Sequence, residues 1–140
     1  MNNTHKFSFA FLAISTILFS ACREDVVAPG NEAGNINQPV RLKSGSSYTF
    51  IINANNITTS FFDYSGVSSS HAQLLLSLED YSQGRAGFNI YDTGNRLVYQ
   101  KLLTDNVEPI SASLDGITPV FLEINFTNFS GKLRIQVFSN

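Results

Sequence analysis

The chain has 140 residues, a net charge of −2, and 43% hydrophobic against 14% charged side chains, which leaves room for one folded domain and argues against a disordered polymer. Its Lys and Arg are scattered, excluding the basic cluster of a nucleic-acid partner, and one Cys with two His excludes an internal disulfide, a CxxC redox pair and most zinc sites. Twelve Phe and five Tyr with no Trp, among many Ser, Thr, Asn and Ile, favour strands over helices.

The first element is a leader. Met1 to Lys6 is polar with one firm positive charge, and Phe7 to Phe19 is apolar apart from Ser8, Ser15 and Thr16. That run is too short to span a bilayer, which takes about 20 residues, and has the length of a signal-peptide core. Leu18-Phe19-Ser20-Ala21-Cys22 follows and resembles a bacterial lipobox. The resemblance implies removal of residues 1–21, a diacylglycerol thioether on Cys22, and attachment of the protein to a membrane through that lipid. Two or more acyl chains on one residue give stable anchoring where a single chain does not. The competing readings are ordinary cleavage after Ala21, which leaves a free thiol in an oxidising compartment, and an uncleaved leader. Arg23, Glu24 and Asp25 then resemble the surface-export signal of Bacteroidetes lipoproteins, implying the outer face of the outer membrane, with the periplasmic face as the other destination.

Residues 22–39 form the lipidated start and a flexible linker: Pro29, Gly30, Gly34 and Pro39 interrupt it and no apolar period runs through it. From residue 40 to 140 the period is two. Strands are predicted at Ser47–Ile52, Thr58–Phe62, Ala72–Leu78, Gly87–Tyr91, Leu97–Leu103, Ile110–Leu114, Val120–Phe126 and Leu133–Val137. Turns fall at Gly45, Gly66, Gly84, Asp92–Asn95, Asp115-Gly116 and Gly131. Many short strands with turns at this spacing predict a single all-β domain, an antiparallel β-sandwich or jelly roll, with a closed barrel as the alternative.

The order of these segments resembles the bacterial pre-peptidase C-terminal domain. The matching stretches are Tyr48-Thr49-Phe50, Phe88-Asn89-Ile90-Tyr91-Asp92 with Gly94, and Gly131 to Val137. The resemblance implies a β-sandwich module of secreted proteins that assists secretion or substrate contact without catalysing a reaction.

Candidate chemistry is sparse. Asp92-Thr93-Gly94 is similar to the aspartic-protease triplet, but that reaction needs a second carboxylate from a second loop, and the triplet reads as a hairpin turn with Gly94 at positive φ. Ser68, Ser69 and Ser70 beside His71 lack a nucleophile elbow and read as a loop. The acids Asp63, Glu79, Asp80, Asp92, Asp105, Glu108 and Asp115 have no calcium-loop spacing, so no metal or cofactor is expected. Exposed rings remain as a handle, since sugars and peptides stack on them; Tyr64, Tyr81, Tyr91 and Tyr99 are the candidates. The expectation is a non-catalytic envelope lipoprotein that binds a surface ligand or an envelope protein, or is structural. The alternatives are a carbohydrate-binding accessory of a surface glycan-uptake system and a small hydrolase.

Overall fold

Alternation of apolar and polar side chains carries three strands far beyond the usual length: β2 (Ser47–Tyr64), β3 (Ala72–Tyr91) and β6 (Phe121–Ser139). Three shorter ones join them: β1 (Val40–Lys43), β4 (Leu97–Leu103) and β5 (Val107–Ser113). The computed structural model describes residues 35–139. The 1–21 leader, Cys22, Arg23, Glu24, Asp25 and the linker up to residue 34 lie outside the described residues.

Every pairing is antiparallel, in the order β1-β2-β6-β3-β4, with β5 on a second stretch of β3. The outermost strands do not pair with each other, so the sheet is open, and the sandwich-like reading holds over the closed barrel. The all-β expectation is met.

The strand count is corrected. Six of the eight predicted strands are halves of three: Ser47–Ile52 and Thr58–Phe62 are both β2, Ala72–Leu78 and Gly87–Tyr91 both β3, Val120–Phe126 and Leu133–Val137 both β6. The Asn- and Gly-rich stretches between them bend the strands without ending them. Register shifts fall between Ala54 and Thr59, between Glu79 and Arg85, and at the facing residues of β6. There Asn56, Asp80, Gly84 and Asn128 all take positive φ, a conformation that suits Asn, Asp and Gly. Side chains replace the missing ladder bonds: Asn56 N–H donates to Ser130 Oγ at 2.7 Å, and Asn128 N–H to Thr58 Oγ1 at 2.8 Å.

The bend is sharp enough to fold each long strand onto itself. Tyr48 and Asp63 lie 15 residues apart in β2, which would separate them by about 50 Å in a straight strand. Yet the Tyr48 hydroxyl donates to Asp63 Oδ2 at 2.9 Å, and the Phe50 and Phe61 rings are 5.6 Å apart. One layer therefore holds β1, the first half of β2, the second half of β6, the first half of β3, and β5. The other holds the second half of β2, the first half of β6, the second half of β3, and β4.

Between the layers lies one apolar core, including Phe50, Ile52, Leu74, Leu76, Phe88, Ile90, Ile124, Phe129, Leu133 and Ile135. In β6 the buried apolar side chains are even at Leu122, Ile124 and Phe126 and odd at Phe129, Leu133, Ile135 and Val137. The extra residue at the bend produces that switch, keeping both halves turned inward. Among the described residues no buried side-chain polar atom lacks a partner.

Candidate binding face

Burying one side of the four-stranded layer commits the alternate residues of each strand to its outer side. Registry lines them up in rows across the strands. The first row is Tyr64, Phe121, Tyr91 and Leu97; the second Phe62, Glu123, Asn89 and Gln100; the third Ser60, Asn125, Gly87 and Leu102. Successive rows are two residues, or about 7 Å, apart along β2, β6 and β3, and in β4 a bulge sets Leu97 and Gln100 three residues apart.

The rings form one platform. Phe121 sits at its centre, 5.3 Å from Tyr64 in an edge-on arrangement, 5.9 Å from Phe62 in a stacked one, and 6.1 Å from Tyr91. Tyr64 is 67% exposed and Phe62 56%. Six large hydrophobic side chains are exposed among the described residues, and four of them, Phe62, Tyr64, Leu97 and Leu102, belong to these three rows. Single exposed apolar residues are ordinary, but a cluster of them marks a surface kept for contact.

The second row carries the polarity. Glu123 Oε2 accepts from Asn89 Nδ2 at 2.9 Å and from the Tyr91 hydroxyl at 2.7 Å. These donors, Asn89 first, hold the Glu123 carboxyl below its ordinary value, so it is ionised at neutral pH. Tyr91 is pushed up in return by the hydrogen bond it donates. Beyond this row Gly87 offers no side chain, and the surface dips into a shallow groove of about 470 Å³ lined by Gly87, Asn89, Gln100, Lys101, Leu102 and Asn125. Ser60 Oγ donates to Asn125 Oδ1 at 2.5 Å on the platform side of that groove.

Of the four tyrosines singled out from the sequence, Tyr64 and Tyr91 meet here. Tyr81 sits half-buried at the bend, its hydroxyl donating to Gly84 O at 2.8 Å and its ring 6.4 Å from Phe129. Tyr99 turns to the core side, 6.1 Å from Phe88, and burial pushes its hydroxyl up. Phe62, Phe121, Glu123 and Asn89 escaped sequence reading. Their signal was present as the outward parity of strands whose inward parity was legible, and only registry shows that those outward positions adjoin.

The other candidates are placed elsewhere. Asp92 does close the β3–β4 hairpin, with Oδ1 accepting from the Gly94 N–H at 2.8 Å and the Arg96 N–H at 2.9 Å, and Oδ2 paired with the Arg96 guanidinium at 2.6 Å. The Arg96 N–H and side chain hold its carboxyl below the usual range. The positive φ falls on Asn95 and not on Gly94, a correction to the predicted turn. The amide bonds to Asp92 Oδ1 already direct the chain at Gly94 and Arg96, and Asn tolerates the left-handed region. In the Ser-rich loop, Ser70 Oγ and His71 Nδ1 are 3.4 Å apart and exposed, while Ser69 Oγ is engaged with the His71 backbone.

Asp63 is the one predicted acid that is buried and paired with cations from another strand. It accepts from Tyr48, and Lys43 Nζ and Arg41 Nε reach it at 2.7 and 3.2 Å from β1, which ties the layers along one open side. Arg41 also lies over the Phe61 ring, 5.0 Å from its centre. No three His, Cys, Asp or Glu side chains converge on a metal position among the described residues.

No protein-family model and no curated protein matches the sequence. Among solved structures, the chain is similar to one from Bacillus endospore appendages, described as forming a novel family of disulfide-linked pili. Identity is 14%, covering 73% of this chain and 90% of that one, with a TM-score of 0.44. It is also similar to a chain in the crystal structure of accessory secretory protein 1, 2 and 3 of Streptococcus pneumoniae, at 8% identity, covering 78% and 92%, with a TM-score of 0.38. Likeness at this level assigns no function.

Proposed function

We propose that the protein is a non-catalytic binding module of the bacterial envelope, tethered by lipid on Cys22 and holding its ligand on the outer face of the four-stranded layer. The observation that carries the binding role is the grouping of Phe62, Tyr64, Phe121 and Tyr91 beside an ionised, hydrogen-bonded Glu123 on one exposed sheet face. A contiguous cluster of exposed rings keeps apolar surface in water, and such patches mark contact sites. Asp92 supports the non-catalytic reading, since both carboxylate oxygens are taken up by the turn it closes.

The anchoring half of the proposal rests on the leader, Cys22 and the Arg23-Glu24-Asp25 segment that follows. A linker of Gly, Pro and Asn stands a folded domain off a lipid surface, leaving its faces accessible. Metabolic labelling with a radioactive fatty acid, combined with cell fractionation, tests this half. The full chain is expected to carry label and sediment with outer membranes, and Cys22→Ala to lose both. A Cys22→Ala protein that stays fully membrane-bound would overturn it. Labelling of intact cells by an antibody or an added protease reports the outward orientation, and Glu24→Ala with Asp25→Ala is expected to reduce that signal.

A further inference from the structure

We infer that the ligand of this face is a neutral glycan chain, laid from the aromatic platform over Glu123 into the Gly87 groove. The inference rests on the face being a binding site, as proposed above, and adds the chemical class of what it holds.

Three features select the class. The first is the pairing of ring faces with planar polar groups. Phe62, Tyr64 and Phe121 present apolar surface, and beside them stand a carboxylate and two amides, Glu123, Asn89 and Gln100. A sugar ring has the matching duality, with C–H bonds on its faces to lie on an aromatic ring and hydroxyls on its rim to bond a carboxylate or amide. The carboxylate accepts only, and the amides both donate and accept, which covers the two roles that a hydroxyl plays.

The second feature is charge. The three rows of four contain a single formal charge, that of Glu123, and the groove beside them adds the cation Lys101, so the face as a whole carries no net charge. An ionised carboxylate at the centre repels phosphates and acidic sugars. A hydroxyl satisfies it with no counter-ion, so a neutral chain avoids the cost of burying a charge unpaired.

The third is the kind of surface. The ligand meets the flat of the sheet, where the backbone amides of the inner strands β6 and β3 are already paired on both sides. An extended peptide gains its ladder bonds from a sheet edge and has none to gain here. The groove beside the platform then extends the contact. A Cβ added at Gly87 would sit 3.9 Å from its nearest neighbours, an ordinary contact, so the glycine is not required by packing and its effect is to keep the groove open.

Affinity electrophoresis and pull-down of the detergent-solubilised full chain test the inference. The probes are soluble xylan, β-glucan, α-glucan and galactomannan, with insoluble cellulose and chitin, and anionic and zwitterionic phospholipid vesicles are run alongside. Retention by at least one neutral glycan is expected. Phe62→Ala and Tyr64→Ala are each expected to weaken it about 10-fold, as a lost stacking contact does. Glu123→Gln is expected to weaken it by a similar factor. Gly87→Leu, which fills the groove without touching the platform, is expected to weaken binding of long chains more than of short oligomers. Leu42→Ala, an exposed position on the other layer, serves as the control and is expected to leave retention unchanged.

No retention on any glycan, or retention indifferent to all four face variants, overturns the inference. If the face variants instead abolish binding to phospholipid vesicles or capture of an envelope protein, the glycan class falls while the binding-face reading stands. If neither glycan, lipid nor protein depends on these residues, both fall.

Discussion

At the scale of single residues, Glu123 links the face to the pH of its surroundings. Asn89 and Tyr91 donate to its carboxylate and hold its folded-state value below the ordinary one near 4.5. A depressed carboxylate stabilises the folded protein above its unfolded value, and that contribution disappears as the pH falls through the folded value. Thermal melts from pH 7 down to pH 3 are therefore expected to show a loss of stability that Glu123→Gln lacks. At pH 7 the same substitution is expected to cost about 1 kcal/mol, the scale of charge-assisted hydrogen bonds at a partly exposed site. A Glu123→Gln protein with the same pH profile as wild type would show that Glu123 is not linked to folding. Tyr91 spends its hydroxyl on this carboxylate, and its ring remains free on the platform side.

The elements of this fold are long strands made to bend, and the bend depends on a few backbone conformations. At Gly84 (φ +79°), an added Cβ would lie 2.2 Å from the Asn128 carbonyl oxygen and 2.5 Å from that of Thr127. Both are backbone atoms of β6 at its own bend, so neither can move aside as a side chain would. Gly84→Ala is accordingly expected to destabilise the domain by at least about 2 kcal/mol, through strain at positive φ and overlap together. Urea unfolding would measure it, and an unchanged midpoint would mean that β3 and β6 cross here with slack. Gly87, in the same strand but at open contact distance, is expected to accept Ala with little change. The two glycines look alike in sequence. Only the crossing strand separates them.

Across the whole molecule, the open side of the sandwich is held by a charged latch. Asp63 in the four-stranded layer accepts from the Tyr48 hydroxyl in the other layer and pairs with Lys43 and Arg41 of β1. Burial, and then the hydrogen bond to Asp63, push the Tyr48 hydroxyl far above its ordinary value, so it stays a donor. Asp63→Ala would strand that buried hydroxyl and leave two cations facing each other, and is expected to cost about 2–3 kcal/mol. Arg41→Ala removes a partner whose side chain is 36% exposed and leaves Lys43 in place, so it is expected to cost less than about 1 kcal/mol. Denaturant titration of the two proteins ranks them; equal losses would mean that the latch acts through the β1 cations rather than through Tyr48.

The period-two alternation of Tyr48, Phe50 and Ile52, of Leu74, Leu76 and Leu78, and of Leu122, Ile124 and Phe126 determined by itself that the protein is all-β and which side of these three segments is buried, whereas in β4 Tyr99, expected to be exposed, turns to the core. It did so because one face of a pleated strand must leave water and the side-chain period admits no other grouping. The hairpin at Asp92–Arg96 was legible for a similar reason, since its hydrogen bonds close within five residues. The continuity of β2, β3 and β6 through Asn56, Gly84 and Asn128 was not. A bend and a turn use the same residues, and what distinguishes them is whether the next strand keeps pairing with the same neighbour. The binding face was decided at the same level: Tyr64, Phe121 and Tyr91 come from positions 27 to 57 residues apart and meet only through the registry of β2 and β3 on β6. Inward parity is a property of one strand. An outward row belongs to four, and no local pattern carries it.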